Sequence, residues 1–212
     1  MIIKKEVFLV VNGCPENRID MARMLEFLKE NDWVFTNTVE DADLILFSVC
    51  GLTQSAEDKS IKIMNQLKAR KKPSAELIVY GCLPKINNER FKENYQGFTF
   101  GSDEIGLIAN IIKTKTNGND VHANYLIPTI KDGEKWRISN LKKYLNLMDI
   151  EKFIRMISYR RISSVINIYR PYSFIIKVST GCSRTCTFCA VKLSRGKVIS
   201  KPIHKVVEEF DE

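Results

Sequence analysis

Short apolar runs alternate with amphipathic stretches over residues 6–115, and this alternation constrains the fold more than any other feature of the sequence. The runs that predict strands are EVFLVVN at 6–12, DLILFSV at 43–49, ELIVY at 76–80 and a shorter run near 98–100. The stretches with apolar side chains near helical spacing predict helices over 17–31, 55–70 and 103–113. In the second helix, Ile61, Met64, Leu67 and Lys68 alternate between core and solvent faces. We therefore predict an α/β fold with a doubly wound parallel sheet.

The rest of the chain divides into a basic stretch and a second, shorter unit. Residues 116–170 are rich in Lys and Arg and weakly periodic, which indicates a linker or insertion with one or two helices. SFIIKVS at 173–179 then predicts a strand, a cysteine-rich loop follows, and a helix begins at Ile203. A strand, a loop and a helix cannot bury a core alone, so we expect residues 171–212 to begin a larger domain. Residues 1–115 are the first predicted domain.

The overall composition is that of a globular protein with excess positive charge. The chain has 212 residues and a formal net charge of +8. This charge suits a polyanionic partner such as RNA, but an excess of Lys is also a common way to keep a surface soluble, and both interpretations stay open. No segment approaches the roughly 18 consecutive apolar residues of a membrane span, so we expect a cytoplasmic protein without a membrane partner.

Three of the six cysteines occupy equivalent positions in the predicted sheet. Cys14, Cys50 and Cys82, here called the strand-end trio, each follow one of the three main strands. The carboxyl ends of parallel strands lie along one edge, where doubly wound folds bind ligands, so we expect these thiols to meet. Any single free cysteine is often just a buried core residue, but three at strand ends favour a shared site. Each adjoins a glycine that would let the backbone approach a bulky group; these are Gly13, Gly51 and Gly81.

The other three cysteines, Cys182, Cys186 and Cys189, form a C-x-x-x-C-x-x-C loop and are here called the loop trio. In a cytosolic chain, patterned thiols are more often metal ligands or catalytic groups than disulfides. Three thiolates on a four-iron cluster leave one iron free for a small molecule. A structural zinc site normally has four Cys or His ligands, and neither His122 nor His204 is spaced to complete a set. The pattern favours two [4Fe-4S] clusters over zinc.

With these motifs in place, the sequence resembles the radical S-adenosylmethionine methylthiotransferases. The loop GCSRTCTFC, with Phe188 as its aromatic residue, resembles the signature loop of radical S-adenosylmethionine enzymes. NGCPENRID, SVCGLTQSAEDKS and YGCLPKINNERF are similar to the family's N-terminal domain, including Asn17 and Asp20. Downstream, the residues that match family positions are Arg195, Gly196, Ser200 and Pro202. The resemblance covers about residues 5–115 and 173–212, and RGKVISKP is most similar to the archaeal and eukaryotic branch.

The resemblance implies a fold, two cofactors and a reaction. Residues 171–212 would begin a radical S-adenosylmethionine partial (β/α) barrel. The loop trio would hold the [4Fe-4S] cluster that reductively cleaves S-adenosylmethionine, giving a 5′-deoxyadenosyl radical that abstracts hydrogen from C2 of an adenine base. The strand-end trio would hold an auxiliary [4Fe-4S] cluster carrying the methylthio sulfur. Phe188 would pack near the adenine of the cofactor or would be a plain hydrophobic anchor for the loop. No catalytic residue beyond the cluster ligands is assigned.

The same resemblance implies N6-threonylcarbamoyladenosine at tRNA position 37 as the substrate and an electron donor such as flavodoxin or ferredoxin as a partner. The basic side chains of 131–170 would contact tRNA phosphates or form a solvated helical face; they include Arg137, Lys142, Lys143, Arg155, Arg160 and Arg161. Two other functions stay open: methylthiolation of a ribosomal protein, and a non-catalytic iron–sulfur module for electron transfer. Because most of the family's barrel is missing from the 212 residues, we expect this chain alone to bind clusters but to turn over poorly.

Overall fold

The computed structural model describes residues 5–102, 104–112, 121–127 and 174–211. A five-stranded, all-parallel sheet forms the centre of the first unit. Its strands are β1 (Glu6–Val11), β2 (Val34–Phe35), β3 (Leu44–Val49), β4 (Glu76–Gly81) and β5 (Thr99–Gly101). The strand order is β2-β1-β3-β4-β5, a common order among doubly wound folds. The predicted α/β fold with a parallel sheet is confirmed.

Helices cover both faces of this sheet. They are α1 (Pro15–Glu30), α2 (Gln54–Arg70), α3 (Leu83–Ile86), α4 (Asn88–Asn94) and α5 (Ile108–Ile112), the last preceded by a 3-10 turn at Ile105–Leu107. One core cluster joins α1 and α5 to the sheet, and a second joins α2, α3 and α4 to the opposite face. The buried runs that predicted strands are near-continuously apolar because both of their faces are covered.

The residues of β1 show how one strand contributes to both cores. Val7, Leu9 and Val11 belong to the cluster with α1, whereas Phe8 and Val10 belong to the cluster with α2. Successive side chains of a strand point to opposite faces, so odd and even positions are divided between the two layers. All five side chains are at most 4% exposed.

The two long helices begin slightly before the predicted residues. Pro15 is the first residue of α1, a position that suits proline because its fixed φ is helical and no N–H partner is needed there. The N-cap residue of α2 is Thr53, whose side-chain oxygen accepts a hydrogen bond from the Ala56 N–H at 3.2 Å. Each start therefore has a local chemical cause.

The buried face of α2 differs from the predicted pattern at one residue. Ile63, Met64 and Leu67 are buried, whereas Ile61 is only partly buried. Ser60 is also fully buried, and residues 60, 63, 64 and 67 follow the i, i+3, i+4, i+7 spacing of one helical face. Ile61 lies off that face.

Several short elements were not predicted from the sequence. β2 has two residues, α3 has four and α4 has seven. Segments of this length hold too few residues to show a hydrophobic period. Residues 121–127, which fall in the predicted basic linker, place Val121, Ala123 and Ile127 in the core beside α1. The basic side chains named above in 131–170 lie outside the described residues.

The second segment, residues 174–211, contains less strand than predicted. Only β6 (Ser179–Thr180) is formed, and it pairs antiparallel with β7 (Ile199–Ser200). Residues 174–178 lack regular secondary structure because their described backbone bonds, such as Ile175 N–H to Asn124 O at 3.1 Å, do not form a ladder. Helices α6 (Val191–Arg195) and α7 (Ile203–Asp211) follow, and α7 begins at the predicted residue. Within the described ranges, no helix is both long and apolar enough to cross a bilayer.

Candidate metal centre

The strand-end trio lies at the carboxyl edge of three neighbouring strands. Cys14 is the N-cap residue of α1, three residues after β1 ends. Cys50 directly follows β3, and Cys82 directly follows β4 and precedes α3. β3 pairs with both β1 and β4, so the three chain positions share one edge, as the sequence predicted. The strand order reverses between β1 and β3, which is where doubly wound folds bind ligands.

Asn17, in the first turn of α1, connects this edge through its side-chain amide. Its Oδ1 atom lies 3.6 Å from Cys14 Sγ and 3.7 Å from Cys82 Sγ. Its Nδ2 group donates a hydrogen bond to the Val49 carbonyl at 3.2 Å. Asn17 is 1% exposed, so all of these contacts are shielded from water. One amide therefore contacts the ends of three strands.

Cys50 is held through its backbone by Ser60 of α2. The Cys50 N–H donates to Ser60 Oγ at 3.2 Å, and the hydroxyl donates to the Cys50 carbonyl at 2.8 Å. Asn12 Nδ2 also donates to Ser60 Oγ, at 2.8 Å. Burial raises the pKa of the Cys50 thiol, and the neighbouring Cys82 and Cys14 raise it further. The unligated Cys50 is thus protonated at neutral pH, and metal binding there would release its proton.

The glycines beside the trio serve the packing of the site loops themselves. Gly81 has a φ of +123°, and a Cβ atom there would lie 2.5 Å from the Val49 carbonyl oxygen. A Cβ atom on Gly13 would lie 2.5 Å from Asn17 Nδ2. The sequence pattern indicated close approach to a bulky group, whereas the contacts that require glycine are with the protein's own strand end and helix.

The donor set of this edge fits a cluster better than a single ion. Within residues 5–102, 104–112, 121–127 and 174–211, no three Cys, His, Asp or Glu side chains are arranged to hold one metal ion. In a four-iron cluster each thiolate binds a different iron, so the sulfurs need not surround one point. All three thiols are free, and those of Cys14 and Cys82 contact the amide of Asn17 in the first turn of α1, where the helix dipole favours negative charge. Their ligation of a cluster stays a prediction.

The loop trio is more accessible than the strand-end trio. Cys186 is exposed, and Cys182 and Cys189 are partly exposed. The Cys182 N–H donates to the Gly196 carbonyl at 3.2 Å, and the Cys189 N–H donates to the Cys186 carbonyl at 3.3 Å. The backbone of the loop is therefore tied to Gly196, and the Arg184 N–H donates to Cys182 Sγ at 3.4 Å. Binding of a cluster by this trio stays a prediction.

Phe188 does not anchor the loop in this structure. Its side chain is 91% exposed, so it buries almost no apolar surface against the protein. The alternative role, packing near the adenine of a bound cofactor, stays a prediction because it requires the ligand.

Two cations of the second segment reach the start of α1. Arg195, at the end of α6, bonds Asp20 through Nη1 at 2.9 Å, Glu16 through Nε at 2.7 Å and Asn17 Oδ1 through Nη2 at 2.6 Å. Lys177 Nζ contacts the other oxygen of Asp20 at 2.6 Å. Both Arg195 and Asp20 are almost fully buried. Burial by itself would lower the pKa of Arg195, but Asp20, Cys82 and Glu16 raise it above its usual range, so the guanidinium is charged.

These contacts bring the surroundings of the two trios together. α6 begins two residues after Cys189, and it packs against α3, which begins directly after Cys82. Asn17, Asp20 and Arg195 were identified by resemblance in separate stretches of the sequence, and in the structure Arg195 contacts both of the others. The loop trio and the strand-end trio therefore precede two helices that share an interface.

Four other residues of the site were missed by sequence reasoning: Asn12, Ser60, Ser102 and Lys177. Asn12 directly follows β1, and Ser102 directly follows β5 with its Oγ 3.6 Å from Cys82 Sγ. Polar residues at the ends of apolar runs could have indicated both. Ser60 in the middle of a helix and Lys177 in a predicted strand carry no such signal.

The chain is similar to known proteins over nearly its whole length. Residues 6–101, which include the strand-end trio, match the model of a family described as uncharacterized protein family UPF0004. A relative from a Nitratiruptor species is 30% identical over 98% of this chain and 40% of its own length. A relative from Acetivibrio thermocellus is 28% identical over 99% of this chain and 42% of its own length. A relative from Chlamydia pneumoniae is 25% identical over 99% of this chain and 39% of its own length.

All three relatives are named ribosomal protein uS12 methylthiotransferase RimO. This chain spans about two fifths of their length, 39% to 42% in these three cases. The similarity to proteins with this name therefore extends over 98% to 99% of this chain.

Proposed function

We propose that this chain is the cluster-binding N-terminal part of a radical S-adenosylmethionine methylthiotransferase. The observation that carries the proposal is the convergence of Cys14, Cys50 and Cys82 at the ends of three adjacent parallel strands, with Asn17 in contact with two of the thiols. The segment with Cys182, Cys186 and Cys189 supplies a second set of three free thiols, and the helix that follows them packs against the helix that follows Cys82.

The residues of the chain would have distinct roles in this function. The strand-end trio would hold an auxiliary [4Fe-4S] cluster, and the loop trio would hold the cluster that binds S-adenosylmethionine. When bound, these groups supply one-electron reduction of S-adenosylmethionine and a place for the sulfur that is transferred. Asn17 and Ser60 fix the strand ends through buried hydrogen bonds, and the low exposure of Cys50 and Cys82 shields these two residues from water. A protein electron donor such as flavodoxin or ferredoxin would supply the electron.

A ribosomal-protein side chain is the substrate class that we propose first. Its support is the name of the three relatives, ribosomal protein uS12 methylthiotransferase, which specifies a ribosomal protein as their substrate. The tRNA branch remains a second candidate, supported by the net charge of +8 and by the resemblance of RGKVISKP to the tRNA-modifying branch. None of these three relatives carries a tRNA name, so the ribosomal protein is favoured.

Iron and sulfide analysis after anaerobic reconstitution tests the cluster assignment. We expect about eight irons per chain, and about four in each triple Cys→Ala variant, one lacking the strand-end trio and one lacking the loop trio. His122→Ala is the control and should keep the full iron content, because His122 pairs with Glu209 and is not assigned as a ligand. Tight uptake of one zinc by either trio, with no iron–sulfur spectrum, would contradict the proposal.

Two further measurements separate the candidate functions. Mass spectrometry of ribosomal protein uS12 and of tRNA from a deletion strain should show loss of the methylthio mark on only one of them. Addition of S-adenosylmethionine should perturb the paramagnetic spectrum of the loop-trio cluster, because that cluster would have a free iron. An unperturbed spectrum would favour an electron-transfer module instead.

A further inference from the structure

Arg195 places a buried positive charge beside the strand-end trio. It is 4% exposed, although it belongs to the second segment and its partners lie 175 and more residues earlier in the chain. Its Nη2 group donates to Asn17 Oδ1 at 2.6 Å, and that same oxygen lies 3.6 Å and 3.7 Å from the sulfurs of Cys14 and Cys82. A single atom therefore separates the guanidinium from two of the three thiols.

The acidic partners of Arg195 bind its Nε and Nη1 atoms, whereas Nη2 is the nitrogen that bonds Asn17 beside the trio. Asp20 is shared with Lys177, so one carboxylate serves two cations. The side chain of Glu16 is 46% exposed, although the oxygen that contacts Arg195 Nε is itself buried. Arg195 lowers the pKa of Cys50, against the larger effect of burial, so its field reaches that thiol as well.

Loss of the protons of the Cys14 and Cys82 thiols would leave Asn17 Oδ1 more dependent on Arg195 as a hydrogen-bond donor. In the unligated site, Asn17 Oδ1 is an acceptor for the thiols of Cys14 and Cys82 as well as for Arg195. Once the sulfurs are thiolates bound to iron, they have no proton to donate, and the amide oxygen faces negative sulfurs. Of these three neighbours, Arg195 is then the remaining donor to that oxygen.

We propose that Arg195 is a positioning residue that ties the reduction potential of the cluster on Cys14, Cys50 and Cys82 to the docking of the second segment. This inference rests on the proposed function. Reduction adds one electron from an external reductant to an already anionic cluster, and no bond forms or breaks. A buried cation stabilises the reduced form more than the oxidised form, so it raises the potential. Docking of α6 thus makes the auxiliary cluster easier to reduce.

A redox titration of the full 212-residue chain tests this inference. Cys182, Cys186 and Cys189 are replaced by Ala so that only the auxiliary cluster remains, and its reduced form is followed by electron paramagnetic resonance. Arg195→Met should lower the equilibrium constant for reduction about tenfold, a fall of ~59 mV for a one-electron couple. Arg195→Lys keeps the charge and should restore most of the potential.

Two matched variants distinguish an effect of the Arg195 charge on the cluster from a general effect of docking of the second segment. Lys177→Met also removes a cation from Asp20 but leaves Arg195 on Asn17, so it should change the potential much less than Arg195→Met. Glu16→Gln removes an anion from Arg195 at a half-exposed position that tolerates substitution, and it should raise the potential. This opposite sign is measurable even if Arg195→Met fails to fold.

The parent here is the chain that lacks the loop trio and carries the auxiliary cluster. Equal reduction potentials in the parent, Arg195→Met and Glu16→Gln proteins would overturn the inference and leave the proposed function intact. An equal fall in Lys177→Met and Arg195→Met would also overturn it, because the effect would then belong to docking in general. Absence of any iron–sulfur cluster in the parent would instead overturn the proposed function, and the inference with it. Iron content and spectra separate these cases without an activity measurement.

Discussion

Ser60, Asn12 and Asn17 are buried polar residues whose hydrogen bonds end on the strand ends of the metal centre. Ser60 Oγ bonds both the N–H and the carbonyl of Cys50, and Asn12 donates to the same hydroxyl. Buried polar groups that lose their partners are costly because no water replaces them. At the scale of single residues, the cysteine positions therefore depend on neighbours that ligate nothing.

Replacement of Ser60 by Ala should destabilise the protein by about 1–3 kcal/mol, because the Cys50 N–H and Asn12 Nδ2 lose an acceptor in a buried site. Urea denaturation of the metal-free protein measures the change in the free energy of unfolding. Ser55→Ala, at an exposed position of the same helix, is the matched control and should stay within about 0.5 kcal/mol of the parent. Similar values for both variants would contradict the role of Ser60.

Asp43, just before β3, should make the free energy of unfolding depend on pH, and its contacts determine the sign of that dependence. Hydrogen bonds from Lys72 Nζ at 2.6 Å and from the Glu6 N–H at 2.8 Å, together with the Lys72 charge, lower its pKa in the folded state. The folded protein then binds fewer protons at Asp43 than the unfolded chain does. Its contribution is complete above the ordinary aspartate pKa of about 3.9 and is lost as the pH falls from there through the lowered value.

Asp43→Asn should therefore cost more stability at pH 6 than at pH 3. The pair is partly exposed, so the difference should be no more than about 1 kcal/mol. Urea denaturation at the two pH values measures it, and Lys72→Met should show the same trend because it removes the partner. An Asp43→Asn effect of equal size at both pH values would exclude this contribution.

At the scale of elements, α2 shows how a helix face is chosen. Its amphipathic pattern leaves Ile61 and Ile63 two residues apart, and only one of them can lie on the face centred on Ser60, Met64 and Leu67. The structure places Ile63 in the core cluster with β3 and β4, and Ile61 at its margin. The contacts with the sheet, rather than the period alone, fix the rotation of the helix.

Ile63→Ala should destabilise the protein by about 2–5 kcal/mol, because it removes a fully packed side chain and leaves a cavity. Ile61→Ala has identical chemistry at a partly buried position and should cost clearly less. Thermal and urea unfolding of both variants make the comparison. A larger cost for Ile61→Ala would mean that α2 is rotated relative to the sheet.

At the scale of the whole molecule, Asp20 joins the second segment to the first unit. Its carboxylate is 1% exposed and holds both Lys177, from the irregular stretch 174–178, and Arg195, from α6. Removing one member of a buried ionic group leaves the others uncompensated, at a cost of about 3–5 kcal/mol. The docking of this segment is therefore expected to depend strongly on one carboxylate.

Asp20→Asn should loosen the second segment while leaving the sheet folded. Hydrogen exchange measured by mass spectrometry should become faster in peptides from 174–211, whereas peptides from β3 and β4 keep their slow exchange. Glu40→Gln, which breaks the exposed pair with Arg70, is the control and should leave the exchange of 174–211 unchanged. Unaltered exchange of 174–211 in Asp20→Asn would show that other contacts hold the segment.

The sequence by itself determined the alternation of strands and helices and the position of a cysteine after each of β1, β3 and β4. These features follow from local periodicity and from the rule that parallel strands end on one edge, so no long-range contact is needed to predict them. It also indicated the loop trio through its spacing and the helix at Ile203. It did not indicate β2, α3 or α4, because such short segments show no period.

Only the tertiary structure decided which side chains surround the trio. Asn17 and Arg195 are 178 residues apart in sequence, and nothing in the local pattern of either predicts their 2.6 Å contact. Of the predicted strand at 173–179, the described residues 174–178 formed no strand and Ser179 did, because a strand depends on a neighbour with which to pair, and β7 has just two residues. The local sequence determines which secondary structure a segment can form. Burial of charges and pairing of strands depend on contacts between distant segments that form only on folding.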